Sequence, residues 1–87
     1  MSLDERFNKA AEDVKGLTKR PTDQQLLDLY GLFKQATVGD NETSKPGLLD
    51  LKGRAKWEAW NGRKGTSQED AKEQYVSFAS SLLQEYA

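Results

Sequence analysis

The sequence predicts an all-α protein, a bundle of four helices, and three features support this prediction. Strand-forming residues are scarce, since the chain contains three Val and no Ile. Apolar residues recur at helical spacing in four separate stretches. Three of these stretches open with Ser or Thr followed three residues later by Glu or Gln, which is typical of a helix N-terminus. With 87 residues in total, we expect a single domain over residues 1–87.

The first helix is predicted to begin at a capping box formed by Ser2 and Glu5. Gly16 and the pair Arg20-Pro21 mark its end. The apolar positions on its single narrow face are Leu3, Phe7, Ala10, Ala11, Val14 and Leu17. We interpret this face as core. Lys15 lies at its edge, and on spacing alone it is a solvated flanking residue.

The second helix is predicted from Asp23 to Thr37, after a capping box of Thr22 and Gln25. Its apolar residues are Leu26, Leu27, Leu29, Tyr30, Leu32, Phe33 and Ala36. At ~100° per residue they cover an arc of roughly 220°, about twice what contact with one core requires. Lys34 lies within this arc. A cation beside aromatic and aliphatic surface suits a ligand with an anionic head and an apolar body.

The segment from Val38 to Gly47 is rich in turn formers and predicts a long connection. Antiparallel helices are usually joined by about two to eight residues, so we expect helices two and three to run parallel. The third helix is predicted from near Leu48 to about Arg63. Its expected core row is Leu48, Leu51, Ala55 and Ala59, and a basic row of Lys52, Lys56 and Arg63 lies beside it.

The fourth helix is predicted to open at a capping box of Thr66 and Glu69. Its apolar stripe consists of Ala71, Tyr75, Phe78, Ala79, Leu82 and Tyr86. Because Tyr75 lies in the middle of this stripe, its simplest interpretation is an ordinary core aromatic.

Composition restricts the function. The chain has 13 basic and 14 acidic residues, which argues against nucleic-acid binding and against broad attraction to anionic membranes. It has no His and no Cys, so the usual general base, thiol nucleophile and soft metal ligands are missing. We therefore expect a binding protein, not an enzyme, without a cofactor. No apolar run is long enough for stable membrane insertion and no secretory signal opens the sequence, so we expect a cytoplasmic monomer.

Two kinds of binding protein fit these observations. A lysine within an apolar face can simply extend its ammonium group to water. However, Lys34 and Lys56 both interrupt apolar surface on two helices expected to be neighbours, and Tyr30 lies one turn before Lys34. This combination favours a ligand with phosphate groups, an aromatic base and an apolar portion. The alternative is a helical module that binds a protein or peptide through exposed Trp57 and Trp60.

Two long blocks of the sequence resemble the acyl-CoA-binding proteins. One runs from Pro21 to Asp40 and includes Phe33-Lys34-Gln35-Ala36-Thr37-Val38-Gly39-Asp40; the other runs from Lys45 to Asn61, followed by Lys64-Gly65. The resemblance covers essentially the whole chain. It implies a four-helix bundle with up-down-down-up topology that binds one long-chain fatty acyl-CoA between its helices. It also implies a carrier that buffers and transports this ligand.

The resemblance further implies a role for individual residues. Tyr30 and Lys34 would hold the adenine and the ribose 3′-phosphate, and Lys56 would contact the same phosphate region. Tyr75 would complete the nucleotide site, and Lys15 would contribute from the first helix. The full set of expected acyl-CoA-binding residues is Lys15, Leu26, Tyr30, Gly31, Leu32, Phe33, Lys34, Lys56 and Tyr75.

The resemblance places the acyl-chain groove at Leu26 and Phe33. Many family members carry Tyr at the position of Phe33. The ring wall is retained in this chain, but a hydroxyl contact at that position is lost.

Overall fold

The computed structural model describes the whole chain, Met1–Ala87, as four α-helices joined by loops. They are α1 (Leu3–Lys15), α2 (Asp23–Thr37), α3 (Leu51–Asn61) and α4 (Gln68–Glu85). α4 packs against both α1 and α2, whereas α3 packs against α2 alone. Across the molecule the helices are therefore ordered α1, α4, α2, α3. The all-α prediction is confirmed. None of the four helices combines the length and apolar character needed to cross a bilayer.

Contacts between helix ends establish the direction of each helix. Near the starts of α1 and α4, Lys72 forms an ion pair of 2.6 Å with Asp4, so these two helices run parallel. Near the start of α2, Gln25 donates a hydrogen bond of 3.3 Å to Glu85 at the end of α4, so α2 and α4 run antiparallel. α3 runs parallel to α2, since the first turns of the two helices lie together, as do their last turns. This is the predicted up-down-down-up topology.

The predicted starts of α1 and α2 are confirmed, and those of α3 and α4 are wrong. Capping boxes are present at Ser2 and Thr22, and α2 has the predicted bounds. The predicted cap of α4 at Thr66 is wrong by one residue, because the Ser67 hydroxyl accepts the first-turn N–H group instead. The predicted start of α3 near Leu48 is also wrong. The Asp50 carboxylate accepts the N–H of Gly53 at 3.0 Å, which makes Asp50 the N-cap.

The core lies between α1, α4 and α2. Its buried members are Phe7, Ala10, Leu29, Leu32, Ala36, Ala71, Tyr75, Ala79 and Leu82. The predicted core row of α3 is wrong at its first two positions, since Leu48 is 77% exposed and Leu51 is 75% exposed. Leu48 precedes the helix, in a turn that Asp50 closes by donating its backbone N–H to Gly47. Its side chain therefore does not follow the helical spacing that the prediction assumed.

The connection between α2 and α3 is fastened to the helices by hydrogen bonds. Gly39 ends α2 with a φ of 98°, a conformation that glycine adopts without strain. The carboxylate of Asp40 accepts hydrogen bonds from the Gln35 side chain at 2.8 Å and from the Gly65 backbone at 2.9 Å. These bonds hold the pKa of Asp40 below its usual range, with the Gly65 N–H as the larger cause. The connection is thus tied both to α2 and to the turn before α4.

Candidate functional site

α2 and α3 approach each other closely at Gly31. A Cβ atom at this position would clash with the carbonyl oxygen of Ala59 on α3. Leu32, the next residue along α2, is directed into the core and is 3% exposed. Helix packing therefore accounts for the glycine at position 31 and the leucine at position 32 without a ligand. The role of Gly31 and Leu32 in ligand binding stays a prediction.

Two lysines lie over aromatic rings at the α2–α3 interface. The Nζ of Lys56 on α3 is 5.5 Å from the ring centroid of Tyr30 on α2. The Nζ of Lys34 on α2 is 4.8 Å from the ring of Trp60 on α3. Each contact is worth about 0.5–1 kcal/mol at a partly exposed site, which is weak enough for a ligand anion to replace it. Each of the two ammonium groups therefore lies over a ring of the opposite helix at this interface.

A cavity of about 430 Å³, here called the leucine cavity, lies between the first turns of α2 and α3. It is lined by Arg20, Asp23, Leu26, Leu27, Tyr30, Leu51, Lys52, Ala55 and Lys56. The leucines, Ala55 and the Tyr30 ring give it apolar walls. Its charged residues are three cations and one carboxylate, so the cavity carries a net positive charge. Apolar walls with positive charge match an amphiphilic anion.

A second cavity of about 380 Å³, here called the aromatic cavity, lies between α2, α1 and α4. It is lined by Ala11, Val14, Lys15, Pro21, Leu26, Leu29, Tyr30, Phe33 and Tyr75. The rings of Phe33 and Tyr75 are 6.0 Å apart between centroids, and Phe7 stacks behind Phe33 at 5.6 Å. This packing fixes the orientation of the rings that face the cavity. A flat aromatic ligand group would find ring surface there.

Two polar groups lie at the aromatic cavity, the hydroxyl of Tyr75 and the ammonium group of Lys15. The Tyr75 hydroxyl is protonated at neutral pH and can donate a hydrogen bond to a ligand, and burial raises its pKa further from the neutral range. The side chain of Lys15 is 76% exposed, and its nearest carboxylate, on Glu12, is 3.9 Å away. Since Lys15 also lines the cavity, its ammonium group can leave this long, exposed ion pair to meet an anion there.

The two cavities are adjacent because Leu26 and Tyr30 line both of them. Leu26 and Tyr30 are one helical turn apart on α2, and together they form a wall with one cavity on each side. The over-wide apolar arc that the sequence places on α2 is explained by this arrangement. One part of the arc faces the core, and the remainder faces the two cavities.

The predicted site residues are for the most part brought together. Leu26 and Tyr30 line both cavities; Lys15, Phe33 and Tyr75 line the aromatic cavity; Lys56 lines the leucine cavity. Lys34 lies at the α2–α3 interface but lines neither cavity, and neither do Gly31 and Leu32.

Sequence reasoning did not include Arg20 and Lys52 among the site residues, although both line the leucine cavity. Lys52 belongs to the basic row of α3 and could have been included on that basis. Arg20 was interpreted only as part of a helix end, and no sequence signal placed it beside α3.

The alternative in which Trp57 and Trp60 are exposed anchors for a protein partner is not favoured, because Trp60 is buried and Trp57 is half-buried. Trp60 is 7% exposed, and its indole N–H donates to the carbonyl of Gly39 at 2.8 Å. The indole N–H of Trp57 donates to the carbonyl of Thr43 at 3.0 Å. Both tryptophans fasten the α2–α3 connection to α3. The geometry therefore does not favour an interaction module built on these two side chains.

Comparison with known proteins agrees with the fold. Residues 4–79 match the family described as Acyl CoA binding protein. The chain is 62% identical over 85 residues to an acyl-CoA-binding protein homolog of Drosophila melanogaster, covering 98% of this chain and 99% of that one. The crystal structure of acyl-CoA-binding protein 2 of Oryza sativa superposes with a TM-score of 0.92 at 43% identity, covering 97% of this chain and 93% of that one.

A further solved structure gives the same result. The crystal structure of ACBP from Moniliophthora perniciosa has a TM-score of 0.89 at 44% identity, and covers 99% of this chain and 84% of that one. The family match spans most of the sequence, and the relatives match along nearly their whole length. The chain therefore belongs to the acyl-CoA-binding protein family.

Proposed function

We propose that this protein is a carrier that binds one long-chain fatty acyl-CoA, with residues 1–87 acting as a single acyl-CoA-binding domain. One observation carries the proposal: two cavities share the wall of Leu26 and Tyr30, and lysine ammonium groups lie beside that wall. Cavities of about 430 and 380 Å³ are each of ordinary ligand size. A long amphiphile with two dissimilar ends would occupy both.

The acyl chain is proposed to lie in the leucine cavity. Leu26, Leu27, Leu51 and Ala55 supply the apolar contact surface there. Burial of the chain contributes ~0.8 kcal/mol per CH₂ group, so a long chain raises affinity by orders of magnitude over free CoA until the cavity is filled. Leu51 is 75% exposed, so the ligand would cover apolar surface that the protein itself leaves open to water.

The nucleotide is proposed to lie at the aromatic cavity. Tyr30 and Tyr75 provide ring surface and hydroxyl groups for adenine and ribose, and Phe33 adds a ring without a hydroxyl. We revise the role that the resemblance implied for Phe33. It lines only the aromatic cavity, so we assign it to the nucleotide end of the ligand.

The phosphate groups are proposed to bind the lysines around the shared wall. Lys56 lies over Tyr30, Lys34 lies one turn further along α2, and Lys15 lies at the entrance of the aromatic cavity. In this proposal a phosphate draws Lys34 away from the Trp60 ring. A charge-assisted contact to phosphate is stronger than the cation–π contact that it replaces.

The role we assign is binding without catalysis, by a monomer. The chain contains no His and no Cys, and no group of three or more carboxylates forms a metal site. Every proposed contact fixes or buries the ligand, and none is placed to activate a nucleophile.

Calorimetry with free CoA and with CoA esters of increasing acyl length tests this proposal. We expect weak binding of free CoA and affinity that rises with each added CH₂ to a plateau. Mass spectrometry of the ligand retained after purification from a cellular host should identify fatty acyl-CoA. Equal affinity for free CoA and for a long-chain ester would contradict the proposed role of the leucine cavity.

A further inference from the structure

The leucine cavity carries charged side chains at both of its ends. At the wall that it shares with the aromatic cavity, Lys56 lies over Tyr30. The opposite end, here called the far end, lies at the first turns of α2 and α3 and is lined by Arg20, Asp23 and Lys52. Lys52 precedes Lys56 by one helical turn, about 6 Å along α3. Long helical side chains lean toward the helix N-terminus, which directs the Lys52 ammonium group toward the far end.

The charges at the far end have no partner in the proposed complex. The phosphate groups are assigned to three other lysines. Lys52 forms none of the ion pairs of the protein. Arg20 pairs with Asp23 at 2.8 Å, but the two side chains are 69% and 84% exposed, and a pair at such exposure contributes little. Two cations therefore face one carboxylate, and the far end has a net positive charge.

The far end is also open to water. Leu51 is 75% exposed, and Lys52 beside it is exposed as well. A charged group in a closed apolar pocket would lose its hydration without compensation, at a large cost in affinity. At this open end a charged group can contact the cations and keep much of its hydration. The far end is therefore suited to an anionic group that follows an apolar segment.

We propose that the leucine cavity also accepts acyl chains that end in a carboxylate, so that the ligands include CoA monoesters of long-chain α,ω-dicarboxylic acids. The apolar middle of the chain packs against Leu27, Leu51 and Ala55, and the terminal carboxylate contacts Lys52 and Arg20. Both cations suit a carboxylate, Lys52 as a point charge and Arg20 through paired N–H groups. This inference rests on the proposed function, from which it takes the direction of the acyl chain.

Chain length determines where the terminal carboxylate lies. In a short ester it would end among Leu26, Leu27 and Ala55, where no cation compensates for lost hydration. In a long ester it would reach the far end. The loss of affinity caused by replacing a terminal methyl with a carboxylate should therefore decrease as the chain is lengthened.

Calorimetry tests this with CoA esters of matched length that end in a methyl, a hydroxyl or a carboxylate group. Among long chains, we expect the carboxylate ester to bind about two- to fivefold more tightly than the hydroxyl ester. Among short chains, it should bind about a hundredfold or more weakly than the methyl ester. Carboxylate esters that bind no more tightly than hydroxyl esters at every length would overturn the proposal. So would a hundredfold loss that persists in the longest chains.

Lys52→Met removes the ammonium group and keeps an unbranched side chain in the cavity wall. Lys64→Met is the matched control, because Lys64 is also exposed and lines neither cavity, and its loss changes the net charge equally. Lys52→Met should reduce the preference for the carboxylate over the hydroxyl ester by about twofold or more. Lys64→Met should keep this preference. The same preference in both variants would exclude Lys52 from the far-end contact and overturn the proposal.

Asp23→Asn should produce a gain, which damage to the fold cannot imitate. The substitution removes the one carboxylate of the far end and releases Arg20 from its ion pair. The long carboxylate ester should then bind about two- to fivefold more tightly relative to the methyl ester of the same length. The ratio of the two affinities cancels any effect on the nucleotide end. An unchanged or lower ratio would contradict the proposal.

The methyl-ended ester tests the proposed function separately. If the unsubstituted chain failed to bind the long methyl-ended ester, the carrier role would be wrong, and this inference with it. If it bound that ester tightly but discriminated against the carboxylate ester at every length, only the inference about dicarboxylic acids would be wrong.

Discussion

The three-helix core and the α2–α3 interface are built in different ways. Where α1, α4 and α2 meet, beneath the aromatic cavity, the packed side chains are mainly apolar, and Ala71, Ala79 and Leu82 are at most 1% exposed. α3 contributes one buried residue, Trp60. It is held by lysines over rings and by hydrogen bonds that its tryptophans donate to the connection that precedes it. The first region supplies stability. The α2–α3 interface leaves apolar surface and lysine ammonium groups accessible to a ligand.

This difference predicts that stability and binding can be changed separately. Substitutions of core residues that line neither cavity, such as Leu82, should lower the free energy of unfolding and leave the affinity of the folded protein unchanged. Substitutions at the α2–α3 interface should mainly change affinity. The four predictions below test this separation, in order of decreasing effect.

Leu82→Ala should have the largest effect on stability. Leu82 is 1% exposed within the core, and truncation of a buried leucine costs about 2–5 kcal/mol of unfolding free energy. Denaturant titration measures this loss. The same substitution at Leu49, which is 99% exposed, should change stability by less than about 0.5 kcal/mol. Similar losses for the two variants would show that α3 and its entry turn are part of the stabilising core.

Lys34→Ala should weaken binding of a long-chain acyl-CoA by about 2–4 kcal/mol, the loss expected when one partner of a close charge pair is removed. Lys9→Ala is the control. Lys9 pairs with Asp13 at 2.8 Å on α1 and lines neither cavity. Calorimetry compares the two variants. Equal affinities would remove Lys34 from the site.

Gly31→Ala should separate α2 from α3. Its Cβ would meet the carbonyl oxygen of Ala59, and overpacking of this kind costs about 1–3 kcal/mol, against a gain of about 1 kcal/mol in helix propensity. Because Tyr30 and Lys34 would shift relative to Lys56, ligand affinity should fall as well. Gly47→Ala, with open space around the added methyl, is the control. If Gly31→Ala bound ligand normally, the spacing of the two helices would not matter to the site.

Asp40→Asn should have a small effect that is visible in acid. The folded-state pKa of Asp40 lies below its unfolded value, through hydrogen bonds from Gly65 and Gln35 and the nearby charge of Lys64. Its stabilisation is therefore present above the unfolded pKa, near about 4, and is lost as pH falls through the folded value. The difference between the denaturant midpoints at neutral and at acidic pH should be smaller in Asp40→Asn than in the unsubstituted chain. An unchanged pH profile would show that this carboxylate does not hold the connection in place.

Local sequence signals predicted the parts of the fold that depend on local contacts. Thr22 and Gln25 satisfy each other's backbone N–H groups, so the start of α2 could be read directly. The start of α3 could not, because Leu48 and Leu49 are as apolar as core leucines and only the three-dimensional position of Asp50 as the cap places them outside the helix.

The site was predictable to a similar extent. An apolar arc too wide for one core, interrupted by Lys34, indicated a second surface on α2, and the cavities are there. The approach of Gly31 to Ala59 and the position of Arg20 beside α3 depend on how helices distant in sequence pack. No spacing within either segment encodes them.

The central claim is that one ligand spans both cavities across the wall of Leu26 and Tyr30, and amide chemical shifts in a labelled sample test it most directly. Free CoA should shift amides around the aromatic cavity, such as Lys15 and Tyr75, and leave those of Leu51 and Ala55 nearly unchanged. A long-chain acyl-CoA should shift both groups together, with a single saturation point. If the long-chain ester shifted only one group, or shifted the two groups at different ligand concentrations, the two cavities would not form one site.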